Sequence, residues 1–201
     1  MATELFVVRH ASVKGEAERI FRDNSNFVDD GISSEGLIAT KNLAVSGLLS
    51  SAREVYTSDL KRASDTAEVL AKELCIPKTI TPQLREVYFG AWSGCLASSL
   101  DPVELSRFDR NPDQNMPYGA ESPEAVLARV RNLITQVENS SGPVVIVSHA
   151  RFLHAFITEI LFGAGTLARI IELGECSVTR LIRHGETWRL GYSNYILREK
   201  K

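Results

Sequence analysis

Two four-residue apolar runs, Leu5-Phe6-Val7-Val8 and Val144-Val145-Ile146-Val147, stand out in a chain whose apolar and polar residues otherwise interleave. A short run with no polar position to turn toward water is the pattern of a strand covered on both faces, as in a parallel sheet between helices. Val55-Tyr56-Thr57-Ser58 and Lys78 to Thr81 read as two more short strands. Elsewhere the spacing is helical. Ala63, Ala67, Leu70, Ala71 and Leu74 share one helical face from about Arg62, and Pro77 marks the exit. Ser33 or Ser34 caps an earlier helix carrying Leu37, Ala44 and Leu48, with Gly47 near its end. Ser122 as cap and Pro123 at the first helical position open a long helix with Val126, Val130, Leu133 and Val137 on its inner face, ending at Asn139 to Gly142. Phe152 to Phe162, closed by Gly163, predicts a largely buried helix. From Gly90 to Gly119 periodicity is lost among Pro102, Pro112, Pro117 and the polar stretch Asp109 to Asn115, which predicts an insertion of loop and short helix. In the tail, Val178 to Arg183 and Trp188 to Leu197 flank His184-Gly185-Glu186 as an antiparallel hairpin. Strands alternating with helices before a terminal hairpin predict one α/β domain over residues 1–201. The expected architecture is a three-layer sandwich with a mainly parallel central sheet, helices on both faces and an antiparallel edge.

Composition narrows the function. The 201 residues suffice for one sizeable core, and a hydrophobic content of 44% belongs to a globular chain. A net charge of −2, with Lys and Arg scattered, leaves no electrostatic footprint for nucleic acid or an anionic membrane and points to a small-molecule partner. No stretch reaches the roughly 18 apolar residues of a membrane span. The N-terminus enters its first strand without the basic region and cleavage site of a secretory leader, so a cytoplasmic location is expected. The three cysteines, Cys75, Cys95 and Cys176, are odd in number and far apart, which fits neither a disulfide framework nor a metal or redox motif. Nothing in the pattern specifies an oligomeric state.

The chemistry gathers where strands end. The first apolar run stops on Arg9-His10 and the later one on Ser148-His149, and ligands of open α/β sheets bind beyond the carboxyl ends of strands. Arg62 stands in the first turn of the helix that follows Ser58, and Leu84-Arg85-Glu86 places a carboxylate ahead of the glycine-punctuated segment Phe89-Gly90-Ala91-Trp92-Ser93-Gly94. These four elements, in this order across nearly the whole chain, resemble the histidine phosphatase superfamily, also called the phosphoglycerate mutase-like family. Asp30-Gly31-Ile32-Ser33-Ser34-Glu35-Gly36 is similar to the family's Leu-Thr-x-x-Gly helix entry, and Gly119-Ala120-Glu121-Ser122 to its Gly-Glu-Ser segment with one residue inserted.

The resemblance implies a small cap over about residues 90–119 and a phosphatase that needs no metal or cofactor. It implies a small phosphorylated metabolite as the substrate. His10 becomes the nucleophile, since a neutral imidazole nitrogen can attack phosphorus and hold the group as a phosphohistidine. Arg9 and Arg62 offer planar donor forks matched to phosphate oxygens. His149 adds hydrogen bonding as charge develops, and its pKa is expected to rise beside a phosphate dianion. Glu86 protonates the leaving oxygen and then activates water, with Glu121 as the alternative acid.

The pattern also departs from the family. Ala11 and Ala150 stand where glycines usually follow the two histidines, Ser12 and Val13 replace Glu-Thr, and Glu16 stands in place of an asparagine. Glu16 and Glu18 are expected in an exposed loop, and Lys14 to Asp29 in a polar segment able to gate the pocket. Arg183-His184-Gly185-Glu186-Thr187 spells the family's Arg-His-Gly-Glu-Thr signature better than Arg9-His10 does, but only a strand and a basic tail follow it, so it is expected to be a hairpin turn. His154 is expected to be a structural helix residue and Ser58 a turn former. Trp92 fits either the packing of the cap or the pocket wall. Two alternatives to the phosphatase remain open at this level, a phosphoglycerate mutase-type transferase and a non-catalytic domain that senses a phosphorylated ligand.

Overall fold

The computed structural model describes residues 3–14, 19–23 and 31–197. Six strands form one sheet: β1 (Glu4–Arg9), β2 (Glu54–Thr57), β3 (Lys78–Ile80), β4 (Val144–Ser148), β5 (Val178–His184) and β6 (Thr187–Tyr195), in the order β3-β2-β4-β1-β5-β6. β3, β2, β4 and β1 run parallel, and β5 and β6 complete the sheet as an antiparallel hairpin. The predicted mainly parallel sheet with an antiparallel edge is therefore present.

Alternation within the apolar runs sorts the core onto two faces. Leu5, Val7, Val144 and Ile146 face one cluster with Val126, Val130, Leu133 and Val137 of α4 (Pro123–Glu138) and Phe152 and Phe156 of α5 (Ala150–Phe162). Phe6, Val8, Val145 and Val147 face the other, with Leu43 and Ala44 of α1 (Ser34–Val45) and Ala63, Ala67 and Leu70 of α2 (Lys61–Leu74). Two helical layers thus enclose the sheet, which is why neither run contains a polar residue. Among the described residues no helix is long and apolar enough to cross a membrane.

The helices start where their caps dictate. Ser33 Oγ accepts from the Gly36 amide at 3.0 Å, and Ser122 Oγ from the Ala125 amide at 3.2 Å. The register of α1 differs from the expected one: its buried positions are Gly36, Thr40, Leu43 and Ala44, while Leu37 is exposed and Leu48 lies beyond the helix end. A Cβ on Gly36 would stand 2.5 Å from the Ser12 carbonyl oxygen, so close approach to the segment after His10 decides which face turns inward. Residues 90–119 contain α3 (Pro102–Arg110) and three single 3-10 turns. Their anchor is an edge-on aromatic cluster in which Phe108 packs 5.3 Å from Trp92 and 5.7 Å from Phe21 between ring centroids.

Candidate active site

β1, β4 and β2 are parallel, so Arg9-His10, Ser148-His149 and the turn into α2 emerge at one edge. Backbone bonds lock these ends together: the His10 amide donates to the Ser148 carbonyl at 2.9 Å and the Ser58 amide to the Val147 carbonyl at 3.2 Å. Ser148 Oγ donates to the Leu84 carbonyl at 2.7 Å, which brings the segment carrying Glu86 to the same edge. Thr66, one helical turn after Arg62, accepts from the Ala11 amide at 3.0 Å and donates to the Arg62 carbonyl at 2.8 Å. The backbone on both sides of the His10 side chain is therefore held before any ligand arrives.

A cleft of about 390 Å³ opens on this edge, lined among others by Arg9, His10, Arg62 and Glu86. His10 and His149 are both buried, with ring centroids 5.2 Å apart. His10 Nδ1 lies 2.9 Å from the Ala11 carbonyl oxygen. A carbonyl can only accept, so Nδ1 carries the proton and Nε2 keeps its lone pair. Burial, then the charges of Arg62 and Arg9, hold the His10 pKa well below 6.5. The same forces, with His10 itself added, act on His149. Both rings are thus neutral at pH 7. The two ring nitrogens of His149 are buried without a hydrogen-bond partner among the described residues, a costly state that suits a site completed by a ligand oxygen.

Glu86 is fixed by backbone donors. Its Oε1 accepts from the Val87 and Phe152 amides at 3.0 Å each, and Oε2 from the Arg151 amide at 3.3 Å. The Glu86 side chain therefore sits on the N-terminus of α5, where its oxygens answer amides that have no partner within the helix. Glu121 is engaged elsewhere, in a two-pronged pair with Arg129 at 2.7 and 2.8 Å, and it does not line the cleft. Arg9 reaches the Leu173 carbonyl at 2.9 Å, and Arg62 donates to the Arg22 carbonyl at 3.2 Å.

Four further arginines line the cleft: Arg19, Arg22, Arg151 and Arg169. None was singled out by the motifs. Arg151 had a legible signal, standing two residues after His149 at a predicted helix start; Arg169 lies in an irregular segment that no periodicity marks. Asp23 is a buried carboxylate that accepts from the Phe89 amide at 2.8 Å and from Ser93 Oγ, so it fastens the strip carrying Arg19 to Arg22 onto the segment after Glu86.

The histidine phosphatase superfamily (branch 1) model matches residues 5–195. The chain belongs to that superfamily. Among its relatives, the probable phosphoglycerate mutase GpmB of Serratia proteamaculans (strain 568) is 28% identical over 193 residues, covering 92% of this chain and 87% of that protein. The putative phosphoserine phosphatase 2 of Hydrogenobacter thermophilus (strain DSM 6534 / IAM 12695 / TK-6) is 28% identical over 196 residues, 94% of each chain. The native structure of the mycobacterial glucosyl-3-phosphoglycerate phosphatase superposes with a TM-score of 0.83 at 25% identity, covering 98% of this chain and 100% of that one.

The departures from the superfamily pattern acquire physical meaning in the structure. Positive φ outside glycine occurs, among the described residues, at Cys75, Cys176 and Asn194, so Ala11 and Ala150 keep conformations that a methyl group tolerates. Gly90, with φ +58° and its Cα facing the Tyr118 carbonyl, does require glycine. Glu16, Glu18 and most of the Lys14 to Asp29 segment lie outside the described residues. Arg183-His184-Gly185-Glu186-Thr187 forms the β5–β6 turn, with Gly185 at φ +63°, on the edge hairpin. Ser58 Oγ accepts from the Leu60 amide at 3.2 Å as a turn former, Trp92 belongs to the aromatic cluster, and His154 is buried within α5.

Proposed function

We propose that the protein is a metal-independent phosphatase that hydrolyses a small phosphomonoester through a phosphohistidine on His10. The observation that carries this reading is the commitment of His10 Nδ1 to the Ala11 carbonyl, which leaves Nε2 as an unprotonated nucleophile in a cleft it shares with Arg9, Arg62 and Glu86. In the first step Nε2 forms the bond to phosphorus, the bond from phosphorus to the ester oxygen breaks, and Glu86 delivers a proton to that oxygen. Arg9 and Arg62 spread over the non-bridging oxygens, and His149 satisfies one of its orphaned nitrogens on the same group. In the second step Glu86 takes a proton from water as the water oxygen attacks phosphorus, and orthophosphate leaves with His10 restored.

The names of the relatives support both hydrolysis and mutase chemistry. Phosphoryl transfer is therefore the second reading, and it would require the phosphohistidine to be shielded from water while the substrate reorients. None of residues 90–119 lines the cleft, an arrangement that favours hydrolysis.

The test is hydrolysis of an aryl phosphate in the presence of a chelator, combined with a quench in alkaline detergent to trap phosphate on the protein. The native chain is expected to turn over and to carry acid-labile phosphate. His10→Ala is expected to lose activity by about a thousandfold or more and to carry none. Turnover that survives in His10→Ala would overturn the proposal. Persistent labelling with exchange between positions of 3-phosphoglycerate, and little release of phosphate, would favour the mutase.

A further inference from the structure

Arg9 is held by a turn that comes from far along the chain. Residues 173–177, just ahead of β5, meet both its backbone and its side chain. The Leu173 carbonyl accepts from Arg9 Nη1 at 2.9 Å, the Ser177 carbonyl from the Arg9 amide at 3.3 Å, and the Cys176 amide donates to the carbonyls of Arg9 at 3.1 Å and His10 at 3.2 Å. Glu175 Oε1 lies 3.7 Å from Arg9 Nη2. Arg9 Nε is buried without a hydrogen-bond partner among the described residues, so the Leu173 carbonyl orients the fork while donors remain for a ligand.

This turn needs support from outside. It passes through Cys176 at φ +54°, a conformation in which a residue with a Cβ persists only where its neighbours over-determine it. β6 supplies the support. Val178 pairs with Tyr195 and Arg180 with Tyr192, so Ser193 and Asn194 stand together opposite Thr179 in a bulge. Asn194 takes φ +50°, and its amide donates to Thr179 Oγ1 at 3.2 Å. The bulge aims the Asn194 side chain at the turn, where Oδ1 accepts from the Gly174 amide at 2.6 Å. The Gly174 N–H and the Leu173 carbonyl belong to one planar peptide unit. Asn194 therefore holds one end of that plane and Arg9 is held by the other, and each hydrogen bond polarises the amide in favour of its neighbour.

Resting on the phosphatase reading, which makes Arg9 a phosphate ligand, we infer that Asn194 is a positioning residue for Arg9, acting through the single peptide between Leu173 and Gly174. A bulge on the edge strand then sets how tightly the cleft holds phosphate, although Asn194 does not line the cleft.

Calorimetric titration with orthophosphate reads this without requiring turnover. Asn194→Gly accommodates the positive φ but removes the acceptor, and it is expected to weaken orthophosphate binding by about fivefold to tenfold, part of the worth of a hydrogen bond to a charged group. Asn194→Asp keeps the oxygen and tolerates the same backbone, so it should bind within about twofold of the native protein. In an Arg9→Ala background, Asn194→Gly should change the affinity by less than about twofold, because the tether then has nothing to hold. A general loosening of the fold would instead weaken binding equally in both backgrounds. That result overturns the proposal, as does native-like binding by Asn194→Gly or a failure of Asn194→Asp to bind like the native protein. A measurement on the native chain covers the case in which Asn194→Gly does not fold. Coupling is reciprocal, so the Gly174 amide should exchange its hydrogen more slowly with orthophosphate bound, and unchanged exchange overturns the tether. Failure of the phosphatase reading looks different: the native protein then hydrolyses no aryl phosphate, while the orthophosphate affinities still decide the role of Asn194.

Discussion

Glu86 answers to two demands at once, and this makes its substitutions separable. As the proposed proton donor it would matter most when the leaving group is a poor one; as the acceptor of the Arg151 and Phe152 amides it holds the start of α5. Glu86→Gln keeps an oxygen for those amides but has no proton to give, so it should slow an alkyl phosphate by about a hundredfold or more and an aryl phosphate far less, within the range for loss of one acid–base group. Glu86→Ala should add a loss of thermal stability. Glu121→Gln breaks the pair with Arg129 and should cost stability without changing the dependence on leaving group. If Glu121→Gln instead reproduced the leaving-group effect, the assignment would pass to Glu121. The two histidines give a second prediction at this scale. After burial, Arg62 is the next cause lowering the pKa of both His10 and His149. Removing its charge must move both titrations upward. In histidine-resolved NMR, Arg62→Gln should show His10 and His149 gaining protons at higher pH than in the native protein, and orthophosphate added to the native protein should act in the same direction. Unchanged titration in the variant would mean that burial alone sets the shift.

The elements that carry the site are coupled by small residues at close approach. The Ser33 amide donates to the Ser12 carbonyl at 2.8 Å while the Ser33 hydroxyl caps α1, so the first turn of that helix is built against the segment leaving His10. Gly36→Ala is therefore expected to act twice: it should lower the melting temperature, because a methyl group meets the Ser12 carbonyl, and it should lower kcat by shifting the backbone that follows His10. Ser33→Ala loses the cap alone and should cost about 1 kcal/mol with little change in kcat. Chemical denaturation combined with steady-state kinetics separates the two, and equal effects on kcat would remove the proposed coupling. This contact also explains what hydrophobic spacing left unread. Leu37, Ala44 and Leu48 suggested one inner face for α1, but steric fit at Gly36 turned the helix so that Leu37 points to water. Where apolar residues alone decide, as at Val126, Val130, Leu133 and Val137 of α4, pattern and structure agree.

At the scale of the whole molecule, the legible part of the site was the part tied to strand ends. Parallel order brings Arg9, His10, Ser148 and His149 to one edge once the two apolar runs are recognised as neighbouring strands. The rest of the cleft wall was not legible, since Arg19, Arg151 and Arg169 come to it from distant parts of the chain only through tertiary packing. Nor does periodicity state the strand order or the pairing of β1 with β5. The edge position of the hairpin does account for the fate of its Arg-His-Gly-Glu-Thr spelling, because β6 ends the sheet and pairs, among the described strands, with the antiparallel β5 alone, away from the carboxyl ends of the parallel strands. A whole-molecule consequence concerns acid. His10, His149 and His154 are all buried, and burial is in each case the leading cause of a lowered pKa, to about 3 for His154. The unfolded chain takes up these protons near pH 6.5, while the folded one resists them. Stability from each ring is therefore fully present above about pH 6.5 and drains as pH falls toward the folded value, at no more than about 1.4 kcal/mol per pH unit for one group. His154 is the ring to test, since it stands on α5 outside the proposed chemistry and its Nδ1 has no hydrogen-bond partner among the described residues. Denaturant midpoints measured between pH 7.5 and pH 4.5 should fall more gently for His154→Leu than for the native chain, the gap widening steadily below pH 6.5. Parallel curves would show that His154 takes up its proton as readily in the folded protein as in the unfolded one.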